Sequence, residues 1–241
     1  MKTINKMISI ATISFLVPVI FSGCTSSGES KELNSIATVD ASISGSASST
    51  EKAMSMSMAA VELKTNMRRY WDDHVVWTRN VIFNIMDNLP GTDQAVKRLM
   101  KNQDDIGNAI KPYYGEKAGR ELTALLHVHI ALAAEFLKAN KMGNTKAAGE
   151  ANKKWIQNAD DIAAFLSKAN PNWKPEEMKM MMHEHLTMTT NEAVARLTKN
   201  YDADVIAFDK VNDQILKMSD MLTDGIIKQF PAKFKEPAMK M

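Results

Sequence analysis

Cysteine is nearly absent from this chain of 241 residues: Cys24 stands alone. An internal disulfide framework, a cysteine-based zinc cluster and an iron–sulfur site are therefore excluded. An excess of one charge is missing too. Removing the first 23 residues takes away Lys2 and Lys6 and no acid, so 30 bases against 28 acids become 28 against 28. A balanced chain with no Arg/Lys-rich run carries no electrostatic footprint for nucleic acid, and no nucleic-acid partner is expected. Phosphate-cradling glycine loops and nucleophile elbows are lacking. Alternating Val/Ile/Thr-rich stretches, the mark of strands, are lacking as well. What is present is 45% hydrophobic and 24% charged, the make-up of a folded domain.

One apolar run stands out near the start. Ile8 to Phe21 follows the positive Lys2 and Lys6 and is interrupted by Pro18. It is too short for a stable transmembrane helix and reads as an export signal, residues 1–23. The run ends Phe21-Ser22-Gly23-Cys24, which resembles the lipobox of bacterial lipoproteins, with Phe21 in place of the usual aliphatic residue. The resemblance implies that Cys24 is lipidated, becomes the mature N-terminus and anchors the chain to a membrane of the cell envelope. Thr25 is not an acidic retention signal, which by the same resemblance implies the outer membrane where a cell has two. The inner membrane is the alternative. Residues 24–56 follow as a tether rich in serine and poor in large apolar residues, a composition that cannot bury a core.

From residue 57 to about 236 the apolar residues recur at helical spacing. Breaks fall at Leu89-Pro90-Gly91-Thr92, Pro112-Tyr113-Tyr114-Gly115, Gly143-Asn144, Asn170-Pro171-Asn172-Trp173, Asn200 and Pro231. They predict an all-α domain of six antiparallel helices, arranged as three helical hairpins. His74, His129 and His185 lie 55 and 56 residues apart, each in the first helix of a successive hairpin. That spacing predicts a pseudo-threefold repeat of about 55 residues. Each second helix offers an asparagine, Asn102, Asn158 and Asn212. The midpoints of the three His–Asn pairs fall at 88, 143.5 and 198.5, the three breaks between paired helices. Antiparallel pairing therefore puts a histidine and an asparagine at one level three times. All three histidines continue apolar stripes, such as Leu122, Leu125, Leu126, Ala133 and Phe136 around His129, so they face inward. His127 and His183, two residues away and about 200° round the helix, face elsewhere.

A buried imidazole without a partner costs about 1–3 kcal/mol, so three of them require company. Neutral imidazoles converging in a dry cavity suit a divalent transition metal such as Zn, Fe, Mn or Ni. Asp105 and Asp161 are candidate added ligands, and they and the three asparagines are candidate orienting groups. Copper ranks behind these. Met54, Met56 and Met58, with Met178, Met180, Met181 and Met182, offer soft thioethers, but methionine is also an ordinary helix former and core filler. The patterns of ferritin-like and hemerythrin-like iron sites are absent, because no histidine has a Glu three residues before it or four after it. Two rival readings stand beside the binding of a transition metal or small polar ligand at the histidine layer. In one the layer only fixes helix register in a scaffold or partner-binding protein; in the other a core histidine is a general base. Arg79 follows His74 by about one turn, and Asp202-Ala203-Asp204 opens a helix, where acids favour the dipole. Segments such as Trp71 to Arg79 and Asn170 to Trp173 resemble uncharacterised helical bacterial proteins, a resemblance that implies no function.

Overall fold

Five α-helices follow one another in the computed structural model, which describes residues 56–235. They are α1 (Met58–Met86), α2 (Thr92–Lys141), α3 (Thr145–Ala169), α4 (Pro175–Leu197) and α5 (Tyr201–Gln229), and a single 3-10 turn, Pro231–Phe234, ends them. The all-α expectation holds, with no strand among the described residues. The export segment, Cys24 and the tether up to residue 55 lie outside the described residues. Helix starts fall where short polar side chains meet helical periodicity. Ser57 caps α1 by accepting from the Ala60 amide, Asn144 caps α3 through Ala147, and Asn200 caps α5 through Ala203. Pro175 opens α4, where its missing N–H costs nothing.

At Pro112–Gly115 the sequence predicts a loop between two helices; the structure instead has one element, α2, with Gly115 alone out of helical dihedrals at φ 83°, ψ 169°. Five helices therefore stand where six were expected. A straight helix would hold residues 100 and 127 about 40 Å apart at 1.5 Å per residue. Instead the His127 ring nitrogen Nε2 lies 3.2 Å from the Met100 carbonyl oxygen. The helix is folded back on itself at Gly115, whose dihedrals suit glycine alone. Its two arms, residues 92–114 and 116–141, touch backbone to backbone. A methyl group on Gly107 would lie 1.9 Å from Thr123 Oγ1 and 2.7 Å from the Gly119 carbonyl oxygen.

The first helix packs against both α2 and α5, α3 lies between α2 and α4, and α4 packs on α5, so the helices close a ring. Arg68 of α1 grips Asp220 of α5 through two hydrogen bonds on the closing seam. Inside the ring the apolar core falls into two clusters. The larger holds Met67, Trp71, Ile106, Leu126, Trp155, Met178, Met182 and Ile215; the smaller holds Val81, Ile82, Ile85, Leu99, Ile130 and Leu137. The division falls between Val75 and Val81 in α1 and between Leu186 and Ala193 in α4. His74 and His185 lie beside that division, so a polar layer separates two apolar ones.

Candidate functional site

Each of the three core histidines is only 2% exposed. The ring centroids of His74 and His185 are 5.4 Å apart, and those of His129 and His185 are 6.2 Å apart. Three helices, α1, the second arm of α2, and α4, thus bring together residues separated by 55 and 56 positions. All three rings line one cavity of about 20 Å³, with Thr78, Thr189, Thr190, Trp155 and Phe136 among the other walls. That volume accommodates one water-sized guest. No carboxylate and no methionine line it among the described residues.

A carboxamide stands beside each ring, and each comes from the residue 29 positions further along. Gln103 Nε2 lies 3.2 Å from His74 Nδ1 and shares its two hydrogens among that nitrogen, the Leu99 carbonyl and Asn102 Oδ1. His129 Nδ1 donates to Asn158 Oδ1 over 2.9 Å, the oxygen being fixed as acceptor because Asn158 Nδ2 donates to the Leu125 carbonyl. Gln214 stands beside His185 in the same way, with its Nε2 donating to the Met181 carbonyl. In the first set the two tasks are divided, since Asn102 Nδ2 donates to the Tyr70 carbonyl while Gln103 meets the ring. Tyr70, Leu125 and Met181 each precede their histidine by four residues, so the amides clamp the same turn of helix three times.

The three rings differ in what is left over. His129 is saturated, because Trp155 Nε1 donates to its Nε2 over 3.3 Å. His185 Nδ1 makes no close hydrogen bond, and neither does the Gln214 Oε1 beside it nor Thr189 Oγ1 one turn further along α4. Thr78, at the corresponding place in α1, satisfies its hydroxyl on the His74 carbonyl. Burial holds the His74 pKa well below the usual imidazole value, and the neighbouring His185 and His129 lower it further. Burial likewise brings His129 down to about 4 against the support of Asn158. It brings His185 down to about 3, helped by His129 and opposed by Gln214. The layer is neutral at physiological pH.

Not every residue expected at the site is there. Asn212 donates to Asp72 over 2.7 Å on the seam between α1 and α5, and Gln214 takes the place expected for it. Asp105 pairs with Lys101, and the exposed Asp161 accepts from Gln157 over 3.0 Å. Neither lines the cavity, so no charge of the protein faces it. No group of three or more His, Cys, Asp or Glu among the described residues has the geometry to hold a metal ion. His127 and His183 point outward, as their offset predicts, and pair with Asp104 and Asp160. Met178 and Met182 are core, while Met180 is exposed.

A second polar cluster lies beyond Thr189, and sequence reading missed half of it. Arg79 Nη1 donates to Glu192 Oε1 over 2.6 Å and to Asp204 Oδ1 over 2.9 Å, both acids being buried. The guanidinium is held between Phe83 and Phe208, 4.5 and 4.6 Å from their ring centroids. Arg196 approaches Asp204 and closes on Asp87. Burial pushes the Glu192 carboxyl up to about 7, with Asp204 adding to the shift and Arg79 opposing it. Glu192 lies seven residues after His185 and so on the same helix face, a periodicity that would have found it. No known protein family, curated protein or solved structure matches the chain.

Proposed function

We propose that this chain is a lipid-anchored protein of the cell envelope whose helical body binds one small polar guest at the His74/His129/His185 layer. The observation that carries the reading is the cavity wall: three imidazoles from three helical segments converge there, beside Thr189, whose Oγ1 is buried without a partner. An orphaned hydroxyl of this kind costs about 1–3 kcal/mol, and a guest that bonds to it returns that energy. The volume of about 20 Å³ restricts the guest to a water-sized molecule or a single ion. A divalent transition metal, Zn, Fe, Mn or Ni, suits neutral imidazoles by its chemistry, but the three rings do not stand in metal-holding geometry: they would have to rearrange, and His129 to release the indole N–H of Trp155. Copper is less well served, because the wall offers no thioether. The lipobox resemblance supports the anchor at Cys24 and the export segment 1–23, with residues 24–56 as tether.

Three hairpins closing about a pseudo-threefold axis would explain the arrangement. In support, the first arm of α2 pairs with α1, the second with α3, and α4 with α5, while the contacts between successive units repeat. His127 meets Asp104, His183 meets Asp160, and Asp72 meets Asn212, each joining the second residue before a core histidine to the preceding unit. The rival reading, a scaffold whose layer only fixes register, is favoured by the amide clamp on all three histidine turns. A general base is the weakest reading, since pKa values near 4 and 3 make His129 and His185 poor proton acceptors at neutral pH. Elemental analysis of the detergent-solubilised full chain, before and after incubation with Zn, Fe, Mn and Ni, decides between metal binding and the rest. Near-stoichiometric metal in the parent and none in a still-helical His74→Gln/His185→Gln variant is the expected result. An empty parent that takes up none of these ions retires the metal as guest.

A further inference from the structure

One wall of the histidine cavity differs from the others. On the outside of the ring, between α3 and α4, lies a groove of about 270 Å³ lined by Asn152, His183, Thr187 and Asn191 together with Phe136 and Thr190. Phe136 and Thr190 also line the histidine cavity. These two half-buried side chains are therefore the partition between groove and cavity. Ile130 and Leu137 line the cavity too, but both belong to the buried apolar cluster on its far side and neither lines the groove.

Phe136 is tied to the layer. Its ring centroid is 5.7 Å from that of Trp155, and the Trp155 indole N–H is the group that occupies His129 Nε2. The aromatic ring that closes the passage thus rests on the side chain that blocks the one saturated imidazole. The groove outside is mixed: Asn152, Asn191, Thr187 and His183 offer hydrogen-bonding partners to a hydrated guest, beside the apolar Ile156 and Leu186.

We propose that Phe136 is the door of the histidine site, that the groove between α3 and α4 is its vestibule, and that Trp155 is the latch that releases His129 Nε2 when the door swings. This rests on the reading of the layer as a binding site, but the door itself is open to a test that needs only water as guest. Exchange of the imidazole C2 proton for deuterium, followed residue by residue by mass spectrometry on the full chain in detergent, reads solvent access at each histidine. Phe136→Ala removes the door, and Ile130→Ala removes a comparable volume from the closed wall. The first is expected to speed exchange at His129 and His185 on the order of tenfold, the second much less, with the half-buried, outward-facing His127 as internal control. Equal acceleration by both variants, or by neither, overturns the door.

A second arm follows Co(II) uptake by its visible absorption. Phe136→Ala is expected to load faster than the parent to the same final stoichiometry. Trp155→Phe, which keeps the stacking but lacks the N–H, is expected to bind more tightly, on the order of tenfold, because His129 Nε2 is then free. If no variant takes up Co(II) at any time, the metal reading fails and the latch with it, while the exchange experiment still decides the door. Uptake at one rate in parent and Phe136→Ala would sustain the site and overturn the passage.

Discussion

Acidification from pH 7 to pH 5 should weaken this fold by an amount the buried groups set. An unfolded histidine titrates near 6.5, whereas His129 and His185 titrate near 4 and 3 in the fold. Over that interval the unfolded chain gains protons that the folded chain refuses, so stability is intact above about pH 6.5 and is lost as pH falls. At about 1.4 kcal/mol per pH unit below 6.5, each of the two loses about 2 kcal/mol by pH 5. His74, also well below its usual value, adds in the same direction. Glu192 opposes them. Its carboxyl titrates near 7 in the fold and 4.5 outside it, so the folded chain takes up the proton first and gains about 2 kcal/mol between pH 7 and pH 5. Asp160 and Asp220, held below the usual carboxylate value, lose their contribution only at lower pH. The balance is a net loss of about 2 kcal/mol from His129, His185 and Glu192, enlarged by His74, which is a large share of a typical 5–15 kcal/mol stability. Urea unfolding followed by circular dichroism at the two pH values measures it. In Glu192→Gln the offset is gone and the loss should rise to about 4 kcal/mol or more. Identical midpoints and slopes at pH 7 and pH 5 in both proteins would refute the neutral, buried layer.

Other substitutions separate the parts. Asn158→Ala leaves the His129 Nδ1–H and one clamp on the Leu125 carbonyl unmet and should cost about 2 kcal/mol or more in urea unfolding. Asn212→Ala, on the half-buried seam, should cost under about 1 kcal/mol in the same assay. Arg79→Met strands Glu192 and Asp204 and should cost about 3–5 kcal/mol at pH 8. That loss should shrink at pH 6 as Glu192 takes up a proton, and a loss independent of pH would place the charge elsewhere. Gly107→Ala, whose methyl would sit 1.9 Å from Thr123 Oγ1, should cost about 1–3 kcal/mol by forcing the arms of α2 apart. A thermal melt unchanged from the parent would refute the close approach of the arms.

The inward face of each histidine was legible because a 3.6-residue period carries that information within one helix. Pairing across helices was read less well. Midpoint counting placed Asn158 opposite His129 but named Asn102 and Asn212 where Gln103 and Gln214 stand beside the rings. Counting to a turn midpoint is good to one or two residues, and one residue is 100° of helix. The second arm of α2 hid behind Gly115, since glycine after two tyrosines marks a break without saying whether a loop or a single reversing residue makes it. Asp105 and Asp161 were misplaced for the opposite reason: acids beside an asparagine of the layer look near it in sequence and stand outside it in space. Glu192 stands on the inward face that its seven-residue offset from His185 gives it, but no local pattern shows that Arg79, 113 residues earlier, is its partner.

The closing seam sets an order of events for a chain made from its N-terminus. Arg68 and Asp220 are 152 positions apart, and Asp72 and Asn212 are 140 apart. A nascent chain that has completed only α1 to α3 carries His74 and His129 without His185, and its apolar stripes have no α4 or α5 to lie against. The histidine layer is therefore among the last parts to be assembled, and contacts of such high sequence separation slow folding. Until α5 docks on α1, the surface that becomes the interior is open to water and to other chains, which makes the half-made ring, rather than the finished one, the vulnerable species.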